Sequence, residues 1–452
     1  IEGYGATITG GGTVSKDAIN IDFEGKKIDM GRLLINTDYK VDGLLDGRGI
    51  ITGSMDNPQF NGYVLSDALS INGQLLTDLH GHVYADKSVV NVQDFSFAES
   101  NGGRYVAKGG MKLDDSQQLF GVLDVTNGSV KNLLALLDRK NEHLDGKLNG
   151  SVEIGGTKDN PSVTVDGKIN EVSIDNKVVG DATIDASLAN RKFKITTLKL
   201  PVDEGLIAMG GTLDLDGEAD LQVALKDVDI VPFLPLVGKD IQATGWVTGV
   251  VNVTGKTKNP KVELSGAVES GSFNGIGIDE GFVLATMQDH VIQIQRIQGA
   301  KGGYKLSIYG KIPLAALYTS GYIEASNAKS MDVTIDFNEA DMAVIPLVTT
   351  SVKEATGPLK GVIRLTGTVE QPEAYGTVSV RNGTMKLANV DNEITGIDGD
   401  LIFSGQQGDF QSRINMGKGS AGLAAKVNWS GHELTNYKAA VQLDGLDVRS
   451  EY

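Results

Sequence analysis

Cysteine is absent from this sequence of 452 residues. Without thiols the chain can form no disulfide bond, no thiolate metal site and no cysteine nucleophile. The absence also suits a protein that works in an oxidising compartment, where free thiols would pair wrongly. Long apolar runs are missing as well, because no stretch reaches the ~18 consecutive apolar residues of a membrane-spanning helix.

Proline, aromatic residues and positive charge are also scarce. Only 10 residues are proline, and aromatic residues make up 6%. Lysine and arginine total 41 against 58 aspartate and glutamate residues, which gives a net charge of −17. A duplex-DNA-binding protein normally carries a basic patch, so nucleic acid is not an expected partner. The negative charge instead keeps a β-rich protein soluble and discourages edge-to-edge association.

Glycine, in contrast, is abundant, with 58 residues. Many glycines with few prolines indicate tight turns rather than a disordered linker. No Gly-X-Y period is present, which excludes collagen. The chain exceeds the ~250–300 residues at which single cores stop growing, so it must divide into domains or extend as a repeat.

Residues that could carry chemistry are few and isolated. His80 and His82 alternate and share a strand face, but no third metal ligand accompanies them. Asp214–Gly217 places glycine at its fourth position, whereas a calcium loop of the EF-hand type needs glycine at the sixth. The glycines around Gly277 miss the dinucleotide-binding spacing, and no phosphate-binding loop or nucleophile elbow is present. We therefore predict a protein without enzymatic activity, cofactor or metal.

Alternation of apolar and polar residues is the dominant local pattern. Gly146–Gly156 and Thr356–Gly367 show it most clearly, and a period of two indicates strands with one buried face. Asn-Gly and Asp-Gly pairs, which favour hairpin turns, separate such segments. These pairs are Asn72-Gly73, Asp216-Gly217 and Asn382-Gly383. Short strands with regular turns predict an all-β fold.

A longer motif recurs four times at a spacing of ~100 residues. It reads apolar, x, Gly, x, variable, x, apolar, x, Gly, and proline follows after four further residues. The copies are Leu45–Gly53 with Pro58, Leu148–Gly156 with Pro161, Val247–Gly255 with Pro260, and Leu359–Gly367 with Pro372. Glycine permits a positive φ at the strand end, and proline suits the start of a strand because it has no N–H for the ladder. We predict one continuous repetitive β region over 1–452, with repeats at 40–142, 143–242, 243–354 and 355–452.

Three short helical segments are predicted before the second, third and fourth copies. They are Val130–Arg139, Val228–Val237 and Asp341–Val352. The first carries leucines at helical spacing, whereas the other two contain proline and are interpreted as broken turns. Each segment is either a connector packed on a sheet end or a plug, gate or membrane-contact element.

Three of the copies share a longer phrase. Residues 150–161, 249–260 and 361–372 read GSVEIGGTKDNP, GVVNVTGKTKNP and GVIRLTGTVEQP. This phrase, with a short apolar helix before it, resembles the TamB/AsmA-like family of bacterial envelope proteins (translocation and assembly module). The copy at Leu45–Gly53 departs from the pattern, with Gly49 in place of an apolar residue.

The resemblance implies an elongated sheet that curls along its length into a β-taco with an apolar interior groove. It implies bridge-type lipid transfer, in which phospholipid moves through that groove between inner and outer membranes. The expected location is the periplasm of a diderm bacterium, with an inner-membrane anchor in a segment outside this sequence. That expectation fits a chain that begins at Ile1 without methionine or a signal-like segment. The family's link to outer-membrane protein assembly also implies a possible barrel partner.

The alternating apolar residues of the repeated motif are the candidates for the groove lining. They are Leu45, Ile51, Leu148, Val152, Ile154, Val247, Val251, Val253, Leu359, Ile363 and Leu365. The same residues could instead face a closed core, where an unpaired charge is far more costly than in an open groove.

Two other functions stay open from the sequence. One is an assembly factor for outer-membrane barrels that binds strands through its sheet edge. The other is a secreted β-helical adhesin. A β-helix favours a short coil-by-coil repeat, which a period of ~100 residues does not match.

Overall fold

Antiparallel strands make up nearly all of the structure. The computed structural model describes residues 2–3, 6–15, 17–33, 40–136, 143–237, 242–273, 276–301, 304–317, 330–347, 351–368, 370–388, 392–416, 418–431 and 433–445. Strands account for 80% of it and helices for 6%. The prediction of an all-β fold is therefore confirmed.

The first of two units comprises Ile1–Val223 with Pro235–Val237. Its strands form an antiparallel meander in which each strand pairs with the next one along the chain. They are β1 (Glu2–Gly3), β2 (Ala6–Val14), β3 (Ile19–Asp29), β4 (Val41–Ser54), β5 (Asn57–Ile71), β6 (Gln74–Ala85), β7 (Val89–Glu99), β8 (Arg104–Lys112), β9 (Leu119–Ser129), β10 (Leu144–Gly156), β11 (Pro161–Ile174), β12 (Lys177–Ala189), β13 (Lys192–Val202) and β14 (Gly205–Asp214).

The second unit comprises Ala224–Leu234 with Gly238–Tyr452, and β15 (Glu218–Asp229) lies at the boundary. Its strands form a second meander with one irregularity, because the short strand β22 shares the partner β24 with β23. They are β16 (Ala243–Lys256), β17 (Lys261–Phe273), β18 (Ile276–Gln288), β19 (Val291–Lys301), β20 (Tyr304–Pro313), β21 (Met331–Asp341), β22 (Val352–Thr356), β23 (Pro358–Gly367), β24 (Pro372–Leu387), β25 (Ile394–Gly405), β26 (Gln407–Met416), β27 (Gly419–Ser430) and β28 (Glu433–Asp444). Among the described residues of either unit, no pairing joins the first strands to the last, so the sheets are open.

The four Gly–Pro motifs fold as equivalent hairpins. Gly53 pairs with Pro58, Gly156 with Pro161 and Gly367 with Pro372. In the remaining copy the pair Thr254–Lys261 precedes the same turn. The last glycine of the motif has φ of +99°, +78°, +83° or +80° in the four copies, a region that favours glycine. The backbone therefore confirms the positive φ that was predicted for this glycine at the strand end.

The Asn-Gly pairs do not all form turns. Asn72 and Gly73 join β5 to β6 with φ of +51° and +83°, as a hairpin turn requires. Asn382 and Gly383 instead lie inside β24, where the register shifts. The prediction of a turn there was wrong, because asparagine at positive φ also suits a bulge within a continuing strand.

Short helices follow the ends of several strands. They are α1 (Met30–Leu33), α2 (Val130–Leu136), the 3-10 turn Val231–Phe233 with α3 (Leu234–Val237), α4 (Leu314–Leu317) and the 3-10 helix Met342–Leu347. The three predicted segments are thus helical in part: residues 228–229 belong to β15 and Val352 begins β22. Residues 137–139 and 348–350 lie outside the described residues.

Polar residues at strand ends start these helices. Asp29 Oδ1 accepts a hydrogen bond from the Arg32 N–H before the missed helix α1, and Ser129 Oγ accepts one from the Asn132 N–H at α2. Asp229 Oδ1 accepts from the Val231 N–H in the same way. Such caps satisfy backbone donors that have no partner within the helix. An Asp or Ser that closes an alternating segment was therefore the signal for α1.

Candidate functional site

The strand register collects apolar residues on one face of each sheet. In the first unit Val152 of β10 pairs with Val165 of β11 and Leu123 of β9. Ile154 pairs with Val163 two residues along the same strand face. Because side chains of a strand alternate between faces, a register that sets apolar beside apolar extends one apolar face over successive strands.

The other predicted positions of the first unit lie on this face too. Ile51 pairs with Ile21 of β3 and Phe60 of β5, and the Phe23 and Phe60 rings stack 5.7 Å apart. Leu45 pairs with Ile28. Apolar side chains of three neighbouring strands therefore meet around the first copy of the motif.

The second unit repeats the pattern. The motif valines pair with apolar residues of β17: Val247 with Val268, Val251 with Leu264, and Val253 with Val262. The fourth copy faces small and branched residues on both sides. Leu359 pairs with Ala340 and Val380, Ile363 with Ile335 and Gly376, and Leu365 with Val333 and Ala374. All six predicted residues of this unit thus contribute to one apolar face.

Burial along the motif is uneven. Leu148 and Leu359, at the first motif position, are 8% and 7% exposed and belong to buried clusters. Ile154, six residues after Leu148 on the same face, is 39% exposed. The remaining predicted residues are half-buried. We call the strand ends next to the helices, Leu144–Leu148 in β10, the helix end, and the ends next to the Gly–Pro hairpins, Val152–Gly156 in β10, the turn end.

Short helices supply the burial at the helix end. Val130 and Leu133 of α2 pack against the buried cluster of Tyr105, Val125 and Leu148. In the second unit Val344 and Ile345 of the 3-10 helix pack against the corresponding cluster around Leu359. The short helices therefore act there as connectors packed on a sheet end.

A glycine pair separates the two ends of the face. Gly150 and Gly167 lie opposite each other in β10 and β11. A Cβ atom on Gly150 would lie 2.2 Å from the Asp166 carbonyl oxygen, so no other residue fits without a backbone shift. Bulges add to the irregularity nearby, with register shifts between Asp145 and Lys147 in this pair of strands. Bulges bend strands and increase their twist, so a bend of β10 is expected within its helix end.

Much of the apolar face lies outside the predicted residues, because these came only from strands of the repeated motif. The missed residues alternate along strands that lack the motif. In the first unit they include Ile184, Ala186, Leu188, Ile195 and Leu198, and in the second Val283, Ala285, Met287, Ile292, Ile294 and Ile297. The period-two pattern of these strands was the available signal.

The opposite face, which we call the polar face, carries charged side chains together with exposed apolar ones such as Trp246, Phe282 and Leu284. Arg364 holds Asp332 through two hydrogen bonds of 2.6 and 2.8 Å, and the pKa of this carboxyl lies below its usual range because of that contact. Lys386 Nζ lies 2.8 Å from Glu354 Oε2 and lowers the pKa of that carboxyl. These groups remain largely exposed, so they serve solubility more than stability.

The two histidines considered as metal ligands also lie on the polar face. His82 stacks on Tyr63 with ring centroids 4.6 Å apart and contacts Asn61. His80 contacts the Ser96 hydroxyl. Within the described ranges, no group of three or more His, Asp or Glu side chains is placed to hold a metal ion.

One buried polar pair lies at the helix end. Glu99 is 5% exposed, and its Oε1 accepts a 2.6 Å hydrogen bond from the Tyr105 hydroxyl. Its Oε2 accepts a hydrogen bond from the Ser129 N–H. Burial, and then the hydrogen bond to Glu99, raises the pKa of Tyr105 above its usual range. The pair ties β7 and β8 to the residue that precedes α2.

Comparisons with known proteins leave the family open. No family model matches the chain, and no curated protein matches it significantly. None of the helices in the described part of the chain is long and apolar enough to span a membrane.

Proposed function

We propose that this protein carries phospholipid between the inner and outer membranes of a diderm bacterium, with the acyl chains sheltered on the apolar face. The observation that supports this most is the half-buried turn end, where Val152, Ile154 and their pairing partners extend apolar surface from strand to strand. Burial of apolar surface contributes about 25 cal/mol per Å², so acyl chains can bind there without specific polar contacts. No catalytic step is part of this function.

The elongated, curled β-taco of about four repeats belongs to the same proposal. Its support is regularity: among the described residues, six strands run from each of the first two Gly–Pro motifs to the next helix, as β4–β9 and β10–β15. In the third repeat the six strands β16–β21 run to the 3-10 helix Met342–Leu347, with α4 inserted after β20. Bulges at the helix end supply the bending that a curled sheet needs. A globule of this size has a radius of gyration of about 22 Å. A monomer value near that figure in small-angle scattering contradicts the elongated form.

Outer-membrane barrel assembly is a second candidate, and β28 is the observation that favours it. Every residue of this strand is exposed, including Leu434 at 68% and Tyr437 at 73%. Within the described residues it pairs with β27, and exposed apolar side chains such as these can contact an added strand. The β-helical adhesin is less favoured, because a β-helix is built from parallel coils and these sheets are antiparallel meanders.

Photocrosslinking tests the lipid path directly. A photoreactive amino acid at Val251 or Ile363, on the apolar face, should yield lipid adducts in cells. The same amino acid at Ser265 or Lys360 should yield no adducts. These residues are close to the test positions but lie on the opposite face of the sheet. Folded protein without adducts at either apolar position overturns the proposal.

Charge substitution distinguishes an open groove from a closed core. Val251→Asp and Ile363→Asp place a carboxylate at half-buried positions, where solvent reaches the new charge. We expect both variants to fold and to lose lipid adducts at neighbouring apolar positions. Severe unfolding of both variants, together with no adducts in the wild type, leaves a closed core as the correct assignment.

A further inference from the structure

Large apolar side chains are exposed on the polar face next to the third Gly–Pro motif. Trp246 of β16 is 45% exposed, and Phe282 and Leu284 of β18 are 40% and 39% exposed. Ala267, which is also exposed, pairs with Phe282 from the strand between β16 and β18. We call these four residues the outer patch. They lie apart from the apolar face, because they alternate along their strands with residues of that face.

The second Gly–Pro motif shows which residues the same fold carries without such a patch. The residue before the motif is Lys147 in the second copy and Trp246 in the third. Lys147 pairs with Asn170 across the β10–β11 ladder. Trp246 pairs with Glu269 across the β16–β17 ladder. Asn170 and Glu269 therefore hold equivalent positions.

The next strand differs between the two copies in the same sense. When the ladders are followed from the third position of the motif, Thr183 and Asp185 of β12 correspond to Phe282 and Leu284 of β18. Two polar residues are thus replaced by two large apolar ones. Because the second copy folds with polar residues at these places, the fold itself does not require the outer patch.

Carboxylates of the second copy have their donors within the chain. Lys147 forms an ion pair with Glu171. The side-chain amide of Asn170 donates a 3.2 Å hydrogen bond to Asp181 Oδ2, and the Glu171 N–H donates one of 2.8 Å to Asp181 Oδ1. The polar face is therefore electrostatically satisfied here without a partner molecule.

The third copy lacks both side-chain donors. Trp246 stands in the place of Lys147, and Glu269 stands in the place of Asn170. Glu269 also lies directly opposite Glu280 in the β17–β18 ladder, and like charges in that arrangement destabilise a sheet. Among the described residues neither glutamate makes an ion pair.

Cations on the β19 and β20 side are too distant to balance the two glutamates. Adjacent strands are about 4.8 Å apart, so Lys305, two strands from Glu280, is about 10 Å away. Lys305 also has Glu339 directly opposite it. Arg296 pairs with Leu284, four residues or about 13 Å along β18 from Glu280. Exposed charges are largely screened beyond ~8–10 Å, so the two carboxylates dominate the local potential.

Strand β15, on the other side of β16, adds no net positive charge beside the indole. Asp227 Oδ1 accepts a 3.0 Å hydrogen bond from the hydroxyl of Thr248, which lies on the same face as Trp246. Lys226 precedes Asp227 in the chain, so these two charges offset each other. The outer patch is therefore apolar with an acidic border next to Trp246.

We propose that the outer patch binds a segment of a partner protein that carries a lysine or arginine beside apolar side chains. The cation pairs with Glu269 and Glu280 and contacts the face of the Trp246 indole, where ion pairing and a cation–π interaction act together. Apolar side chains of the partner cover Phe282 and Leu284 and remove their surface from water. The outer patch lies on the face opposite the proposed lipid path, so this proposal is independent of lipid carriage.

The acidic border also disfavours two other occupants. An anionic membrane surface is repelled by Glu269 and Glu280. Another molecule of the same chain, with its net charge of −17, brings further negative charge to the contact. A basic and apolar protein segment is the occupant whose chemistry complements both the charge and the exposed rings.

Two fluorescein-labelled peptides, bound to the full chain, test the charge preference. One peptide alternates leucine with lysine, and the other alternates leucine with glutamate. We expect the leucine–lysine peptide to bind at least about tenfold more tightly, measured by fluorescence anisotropy. Equal affinities of the two peptides overturn the proposal.

A double variant that restores the residues of the second copy locates the binding site. Trp246→Lys/Glu269→Asn is expected to fold, because the second copy carries these side chains at the same positions. Its affinity for the leucine–lysine peptide should fall at least about tenfold, since the indole and one carboxylate are both lost. Wild-type affinity in this variant overturns the site.

A matched control separates the outer patch from overall charge. Asp166→Asn/Asp185→Asn removes two directly opposed carboxylates from the polar face of the second copy. It changes the net charge by the same amount as Trp246→Lys/Glu269→Asn, but no aromatic residue of the outer patch is touched. Its affinity should stay within about twofold of the wild type. A loss as large as in Trp246→Lys/Glu269→Asn shows binding to overall charge and overturns the proposal.

Photocrosslinking in cells tests for the partner itself. A photoreactive amino acid at Phe282 should yield a protein adduct whose crosslinked peptide contains lysine or arginine, and Thr183 should not yield this adduct. The yield at Phe282 should fall at least about fivefold in Glu269→Gln/Glu280→Gln, because the attraction for the cation is lost. An unchanged yield, the absence of a protein adduct, or an adduct of phospholipid, which indicates membrane contact, overturns the proposal. None of these results alters the test of the lipid path at Val251 and Ile363.

Discussion

The helix end and the turn end of β10 differ in burial although they belong to one strand and one face. Leu148 packs under α2 with Tyr105 and Val125, whereas Ile154 keeps 39% of its surface exposed. Both are branched aliphatic residues in the same alternating segment. The difference teaches that an apolar strand face can be core at one end and accessible surface at the other, depending only on what packs over it.

The strongest way to break this comparison is to truncate both residues. Leu148→Ala should destabilise the helix end by about 2–5 kcal/mol, because it leaves a cavity in a packed cluster. Ile154→Ala, the matched change at the turn end, should cost about 1 kcal/mol or less, since solvent already reaches the side chain. Hydrogen exchange of β9, β10 and β11 measures both effects locally. Equal losses of protection contradict the distinction between the ends.

The buried pair Glu99–Tyr105 sharpens the comparison at the helix end. Tyr105→Phe removes the hydroxyl that donates to Glu99 and leaves a buried carboxylate oxygen without this donor. We expect a loss of about 1–3 kcal/mol, measured by hydrogen exchange in β7 and β8. Tyr84→Phe, at the turn end, serves as the control because its partner Asp86 keeps donors from Ser88. A loss in Tyr84→Phe as large as in Tyr105→Phe contradicts the prediction.

pH should destabilise the two ends at opposite extremes. The pKa of Tyr105 in the folded state lies above its unfolded value of 10.0. The stability that Tyr105 contributes is therefore fully present below pH 10 and is lost as the pH rises further. Asp86 lies beside the turn end, after Ala85, which pairs with Phe60. Hydrogen bonds from Ser88 and Tyr84 lower the pKa of Asp86 to about 2 from 3.8.

The contribution of Asp86 is therefore complete above pH 4 and is lost as the pH falls through about 2. Exchange profiles at both extremes should show β7–β8 losing protection at the helix end in alkali and the β6–β7 turn losing it in acid. Asp86→Asn is expected to remove the acid effect. Loss of protection at the β6–β7 turn in alkali, or at the helix end in acid, contradicts the prediction.

The smallest effect should come from the polar face. Arg364→Gln breaks the two hydrogen bonds to Asp332, both of which are largely exposed. Solvent and salt screen such pairs, so exchange protection of β21 and β23 should change little. The apolar change Ile335→Ala on the other face of β21 is the comparison. A larger loss of exchange protection in Arg364→Gln than in Ile335→Ala contradicts the prediction that the stabilising contacts lie on the apolar face.

Much of the fold follows from local patterns. The motif glycines, their proline partners and the alternating strands lie where the sequence indicated, because turn chemistry and the period of two act over a few residues. Asn382-Gly383 shows the limit of that reasoning. The same two residues suit a turn or a bulge, and pairing of β24 with β23 and β25 selects the bulge.

Candidate site residues divide in the same way. Val251 and Leu264 share a face because side chains alternate along each strand and the register of β16 and β17 pairs these two residues. Leu264 was not predicted, because β17 lacks the motif. The burial of Leu148 could not be predicted from the sequence, because the pattern of β10 does not encode that α2 packs over it.

The sequence by itself determined that the chain forms amphipathic antiparallel strands and which residues of each strand share a face. Backbone geometry enforces that alternation within a single strand, whatever the neighbours are. Tertiary structure alone decided that Leu148 is buried and Ile154 is half-exposed to solvent. Burial depends on contacts with distant segments such as α2, and no local pattern in the strand encodes them.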